Sequence, residues 1–359
     1  MLNLDNIQQE IVTTKESKVL VIAGSGSGKT RVLTERVRYL LNNGVDPKGI
    51  VAITFTNAAA DEMRERLGKE AEDVYIGTIH GYANRLLLMS GLETQQYIKE
   101  EKFDKLFSAI EKHPEVIRPV EHLLVDEFQD IDEKQYDFLI YMIRAKNFFL
   151  VGDDWQNIYS WRGSDVGYFL DLAYDPMVTP YKMENNYRTG YNIISFGAGF
   201  LKPIKNKIKK RVIPKNPNNG IVIERETMDI PFIISEIQKD KNYGKWFILT
   251  RTNGQIDLVQ SKLNKVRIPN DTFKKGDLSS TELNNKIKQD TVKVLTVHSA
   301  KGLENDNVAV IGVRPSNDEE RRVAYVAATR ARNKLIWCYN NKKIKKAISM
   351  FDWSEEEGI

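Results

Sequence analysis

The sequence of 359 residues is 41% hydrophobic and 28% charged, with a formal net charge of +4, which is ordinary globular composition with enough chain for two substantial cores. No apolar run is long enough to span a bilayer, and Met1–Asp5 lacks the basic-then-apolar pattern of a secretion signal. An intracellular protein with no membrane partner is expected, cytoplasmic in a cell or in the host if the chain is viral. Cys338 is the only cysteine, which excludes an internal disulfide framework and a cysteine-based metal centre. So small a net charge leaves nucleic-acid binding to local arrangement.

Apolar strand-like runs alternate with amphipathic stretches from Val19 to Gly152, the signature of a mostly parallel sheet flanked by helices. The predicted strands are Val19–Ala23, Ile50–Phe55, Val74–Ile76, Leu123–Val125 and Phe148–Val151. Each ends in small or polar residues, and open α/β sheets bind ligands at the carboxyl ends of their strands, so the five tips are expected to line one crevice. A second series runs from about Tyr181 to Tyr339, with strands at Ile221–Ile223, Trp246–Leu249, Val292–Val297, Val308–Gly312 and Leu335–Cys338. Helical patterns cover Pro231–Lys239, Gln255–Lys265 and Asp318–Arg332. Two α/β lobes follow, 1–180 and 181–359, with a cleft between them. The lysine-rich run Lys202–Lys215 reads as an exposed connector, and Lys342–Lys346 and Glu355–Glu357 as solvated charge runs; a basic nucleic-acid contact is the alternative for the first.

The first strand enters a glycine-rich loop ending in Lys29-Thr30. Gly24, Gly26 and Gly28 let the backbone curl with its N–H groups inward, and the following helix adds the positive end of its dipole, which together make a cradle for phosphate. Ala23, Ser25, Ser27 and Arg31 complete the stretch. Lys29 suits the β- and γ-phosphates of a nucleotide, and the Thr30 hydroxyl suits Mg²⁺. Asp126-Glu127 follows a buried strand, so one carboxylate can serve the metal and its neighbour can take a proton from attacking water. Asp126 is the candidate metal residue and Glu127 the candidate general base.

The blocks Ala23–Thr30, Val125–Asp130, Val151–Gly163, Asn186–Arg188, Thr296–Glu304 and Tyr325–Ala331, in this order, resemble the motifs of the UvrD/Rep/PcrA group of superfamily 1A DNA helicases. The resemblance implies two RecA-like lobes, ATP and Mg²⁺ as cofactors, and 3′ to 5′ movement on single-stranded DNA. It implies further roles: Gln8 would read the adenine edge, Tyr187 would stack on the base, Glu304 would bind the ribose, and Gln156 and Arg188 would sense the γ-phosphate. Arg330, on the helical pattern Asp318–Arg332, would be the arginine finger. Phe55, Thr56 and Asn57, then His80 and Gly81, would contact the strand, as would His298, Ser299 and Lys301 from the second lobe. Tyr159, Trp161 and Arg162 offer aromatic and guanidinium surface for unpaired bases, although aromatics after a strand are more often core.

The intervals Leu86–His122 and Arg188–Thr296 are short for this family, whose large members carry accessory insertions there. This favours, as an alternative, a DNA-stimulated ATPase switch or the helicase subunit of a larger nuclease complex with a protein partner. Two positions depart from the pattern: Trp155 stands where the family is usually polar, and Asn305-Asp306 where it usually has an aromatic residue.

Overall fold

A computed structural model describes residues 4–274 and 286–339. The terminal runs Lys342–Lys346 and Glu355–Glu357 lie outside the described residues. The chain divides into two compact units. One runs to Ala23 and from Gly28 to Met183; the other comprises Gly24–Ser27 and the chain from Glu184 onward.

The first unit is built on a six-stranded, wholly parallel sheet of β1 (Lys18–Ala23), β2 (Ile50–Thr54), β3 (Tyr75–Thr78), β4 (His122–Val125), β5 (Asn147–Gly152) and β6 (Thr179–Met183), in the order β3-β2-β4-β5-β1-β6. The central strands are buried on both faces, which is why β1 and β2 read as unbroken apolar runs rather than alternating ones. Helix Lys29–Asn42 covers one face with Val32, Leu33, Val37 and Leu40, packed against Val19, Val21 and Ile50. Full burial of one such leucine or valine contributes about 1.5–3 kcal/mol. The helix stops where Gly44 takes φ 81°, a left-handed position suited to glycine. β6 escapes sequence reading because Thr179–Met183 is polar and contains Pro180, whose missing N–H is tolerated at the sheet edge it occupies.

In the second unit, after the short parallel pair β7 (Asn185–Asn186) and β8 (Ile213–Pro214), come β9 (Ile221–Arg225), β10 (Trp246–Thr250), β11 (Asn270–Phe273), β12 (Val292–Thr296), β13 (Asn305–Ile311) and β14 (Ala331–Cys338). Their sheet is also parallel, ordered β11-β12-β10-β13-β14-β9. The polar edge strand β11 is another element the sequence hides.

Two expectations need correction here. The helical pattern Asp318–Arg332 breaks early: the helix is Asp318–Ala328, and Arg332 already belongs to β14. Lys202–Lys215 is not a plain exposed connector either. Ile204, Ile208 and Val212 are buried at four-residue intervals, Lys210 is only 3% exposed, and the run ends in β8. Its lysines flank an apolar anchor, which the charge count concealed.

Candidate nucleotide site and nucleic-acid face

The glycine loop turns at Gly26 (φ 70°) and Gly28 (φ 87°), left-handed conformations that an L side chain resists. Gly28 caps the helix that begins at Lys29, whose first-turn N–H groups have no acceptor within the helix. Ser27 Oγ donates to Gly24 O at 2.8 Å and ties the curl. At its exit, Thr30 Oγ1 donates to Asp126 Oδ2 at 2.9 Å.

Asp126 is buried at the tip of β4, with Oδ1 accepting from the Glu127 N–H at 2.9 Å. Burial and the neighbouring Glu127 charge push its carboxyl up to about 6, against the opposing pull of Lys29. A carboxylate so placed is short of positive charge. Glu127 itself adopts φ 51° and ψ 39°, a left-handed backbone that costs a non-glycine residue roughly 1–2 kcal/mol. Gln8 reaches the same loop: its Nε2 would lie 3.1 Å from a Cβ placed on Gly28. The Gln8 amide also serves a capping box, with Oε1 accepting from the Asp5 N–H at 3.1 Å. An amide oxygen carries two lone pairs, so this bond alone does not exhaust it.

Within the second unit, Gly24–Ser27 is held by the Asn186–Arg188 segment. Asn186 is fully buried; its Nδ2 donates to Ser25 O, and its Oδ1 accepts from the N–H groups of Arg188 (3.0 Å) and Thr189 (2.8 Å). Tyr187 N donates to Gly26 O at 2.9 Å, while its ring stays exposed. Arg188 pairs with Glu304, which also accepts from Arg332 at 2.9 Å. Burial pushes the Glu304 carboxyl up, yet Arg188, Arg332 and Arg330 together hold it below its ordinary value. Arg330 follows the helix end and is 1% exposed. Its Nε donates to Val326 O (3.0 Å), its Nη1 to Leu303 O (3.2 Å), and its Nη2 lies 3.4 Å from Ser25 Oγ.

A cavity of about 340 Å³ opens in the first unit. It gathers the tips of β2 (Phe55, Thr56), β3 (Thr78, His80) and β4 (Asp126, Glu127, Asp130, Asp132) with Tyr159, Arg162 and Ser164 from the segment after β5. Phe55 and Tyr159 stack, ring centroids 5.3 Å apart and planes 20° from parallel. Trp161 is 55% exposed, and the Arg162 guanidinium stands 5.7 Å from both the Tyr159 and the Trp161 rings. His80 packs on Phe103 and Phe107 of the short insertion, and burial draws its imidazole below the ordinary value against the pull of Asp132 and Asp104. Thr56 and Thr78 cap the helices Asn57–Leu67 and Ile79–Met89, accepting from the N–H groups of Ala59 and Gly81 at 3.2 Å. His298 and Ser299 lie in the turn after β12, where Ser299 N donates to Thr296 Oγ1 at 3.2 Å.

The profile of the UvrD/REP helicase N-terminal domain matches residues 4–116 and 105–176, and that of the UvrD-like helicase C-terminal domain matches residues 271–342. The chain belongs to the UvrD-like helicase family. Among curated proteins it is similar to the ATP-dependent DNA helicase PcrA of Leuconostoc citreum, 28% identical over 367 residues that cover 74% of this chain and 49% of the relative. PcrA of Staphylococcus epidermidis is 27% identical, and PcrA of Staphylococcus aureus 28%, each over 366 residues that cover 74% of this chain and 50% of the relative. The chain spans about half the length of these curated relatives.

Two positions expected to depart from the family's pattern have structural settings of their own. Trp155 is fully buried and forms part of the core beneath the segment after β5. Asn305-Asp306 replaces an aromatic residue with polar contacts to the turn before β10: Asn305 Nδ2 donates to Gly244 O at 2.9 Å, and Asp306 pairs with Lys245 at 3.3 Å. Two residues inside recognised motifs went unassigned, Asn186 and Gln129. Both are buried amides that bond to segments remote in sequence, Asn186 to Ser25 and Gln129 to Asp153, a role that a single sequence marks only by placing an amide beside functional residues. Among the described residues no helix is long and apolar enough to cross a membrane.

Proposed function

We propose that this chain is an ATP-dependent DNA motor of the helicase type, hydrolysing ATP to move 3′ to 5′ on single-stranded DNA or at a single-strand/duplex junction. The observation that carries this is the contact of Thr30 with Asp126, which brings the end of a glycine cradle against a buried acidic pair. The PcrA relatives are named ATP-dependent DNA helicases, which supports the same reading.

In this reading Ala23–Arg31 cradle the triphosphate, with Lys29 on its β- and γ-phosphates, and Gln8, Tyr187 and Glu304 hold base and ribose. Glu127 takes the proton from attacking water, Gln156 and Arg188 respond to the γ-phosphate, and Arg330 stabilises the charge that develops on it. Thr30 and Asp126 suit Mg²⁺: among the described residues no group of three or more metal-type side chains exists, and this ion asks for little more than one carboxylate and a hydroxyl when water and phosphate complete its shell. Bound there, it would neutralise charge on the terminal phosphates. Phe55, Thr56, Asn57, His80, Gly81, Tyr159, Trp161, Arg162, His298 and Ser299 would hold the strand, with the exposed Trp161 stacking on a base.

Steady-state ATP hydrolysis with and without single-stranded DNA, on wild type and Arg330→Ala, tests the reading. Strong stimulation that the variant loses is the expected result; turnover indifferent to DNA would overturn it. A DNA-stimulated switch, or a subunit of a larger complex, is favoured by the small segment between Met89 and His122, which holds only two short helices and one further turn. Displacement of a labelled strand from a fork separates a motor from a switch.

A further inference from the structure

We propose that Gln129 is a positioning residue that locks the Glu127 carboxylate to the segment Gly152–Asn157, joining the hydrolytic base to the stretch that carries the aromatic DNA face. The inference rests on the reading of Glu127 as general base.

Gln129 is fully buried, and both ends of its side-chain amide are hydrogen-bonded. Nε2 donates to Glu127 Oε2 at 2.6 Å and to Asp130 Oδ2 at 3.1 Å, while Oε1 accepts from the Asp153 N–H at 2.8 Å. One amide therefore spans two carboxylates on one side and the backbone after β5 on the other. Its main-chain carbonyl accepts from Asn157 Nδ2. Asn157 in turn bonds Ser164 Oγ at 3.1 Å and accepts from Ser160 Oγ at 3.2 Å, and these two serines bracket Trp161 and Arg162.

The neighbourhood is shaped around this amide. Gly152 has an ordinary negative φ, so its lack of a side chain is a matter of space: a Cβ there would lie 2.6 Å from Gln129 Oε1 and 2.6 Å from the Phe169 ring. Glu127 needs the support because its own backbone is left-handed. Only an amide meets both demands, because a carboxylate in its place would set three acids together and an aliphatic chain would bond to none of them.

The experiment measures kcat and KM for ATP from pH 5.5 to 9, with and without an oligo-dT strand, on the full chain and on Gln129→Glu and Gln129→Met, with thermal melts of each. Gln129→Glu should keep KM within about twofold while kcat at pH 7 falls at least tenfold, and a like charge beside Glu127 should move the acidic limb of the kcat profile up by about one unit. Gln129→Met should lower kcat and the fold-stimulation by DNA while leaving that limb near its wild-type position. Unchanged profiles, or equal losses in KM and kcat that track the melting temperature, would overturn the proposal in favour of a folding role, as would failure of both variants to fold. Wild-type turnover that ignores DNA would sink the motor reading alone, since the shift in the acidic limb still tests the tether. A wild-type chain without any ATP turnover overturns both.

Discussion

The hydroxyl of Thr30 and the carboxylate of Asp126 meet at 2.9 Å, joining the first turn of a helix to the tip of a strand 96 residues away in sequence. The carboxyl titrates near 6 in the folded chain against 3.8 when free. Folding therefore favours its protonated form, and stability from this group is lost as pH rises through that window. Asp126→Asn should raise the stability of the ligand-free chain at pH 7.5 by about 1–3 kcal/mol, a few degrees in Tm. The amide introduced by this substitution can still accept from the Glu127 N–H while the Thr30 hydroxyl turns to accept from it. The gain should shrink as pH falls toward 4.5, and the variant should lose ATP turnover. Melts at several pH values check the first outcome, and a stabilising effect that grows at low pH would refute it.

Glu127→Gln should bind ATP with nearly wild-type affinity and hydrolyse it about 10²–10⁴-fold more slowly, the range expected for loss of a general base. Equilibrium binding of a fluorescent ATP analogue paired with single-turnover cleavage separates the two quantities. A near-normal cleavage rate would remove Glu127 from the role.

Gly26→Ala should be far more damaging than Gly44→Ala, although both glycines have positive φ. A Cβ on Gly26 would lie 2.8 Å from Arg188 Cβ and 2.9 Å from Asn186 Nδ2, whereas nothing stands within 4 Å of one on Gly44. Both variants incur a left-handed backbone at about 1 kcal/mol. Only Gly26→Ala must also displace the segment that orders the loop, so its ATP turnover should fall at least tenfold while that of Gly44→Ala stays near wild type. Matched melts and ATPase assays would show the split.

Much of this was legible before any coordinates. β1, β2 and β10 are buried on both faces, so their apolar runs name them, and the glycine loop announces itself because phosphate demands backbone without side chains. Edge strands β6 and β11 were hidden because polar residues and a proline suffice where one side of a strand has no partner. The pattern Asp318–Arg332 overruns the helix because it continues past Thr329-Arg330, whereas the helix ends at Ala328 and β14 begins at Ala331. Gln129 and Asn186 were invisible for a different reason: an amide that bridges two loops has no periodicity, and its importance lies in partners that are remote in sequence.

The aromatic face offers a test that separates stacking from charge. Trp161 is 55% exposed with Arg162 beside it, whereas Tyr159 is stacked on Phe55. Trp161→Ala should weaken binding of an oligo-dT strand by about 1–3 kcal/mol, the usual value of a base–aromatic stack, while leaving the dependence of log affinity on log salt unchanged, because no counterion is released by a ring. Arg162→Ala should weaken binding and also reduce that slope by about 1 if the guanidinium pairs with a phosphate. Tyr159→Ala should lower Tm as well as affinity, since it strips the stacking partner from Phe55. Fluorescence anisotropy from 50 to 300 mM salt, with a melt of each variant, distinguishes the three. A Trp161→Ala variant that binds as tightly as wild type at every salt concentration would show that the exposed indole serves some surface other than DNA.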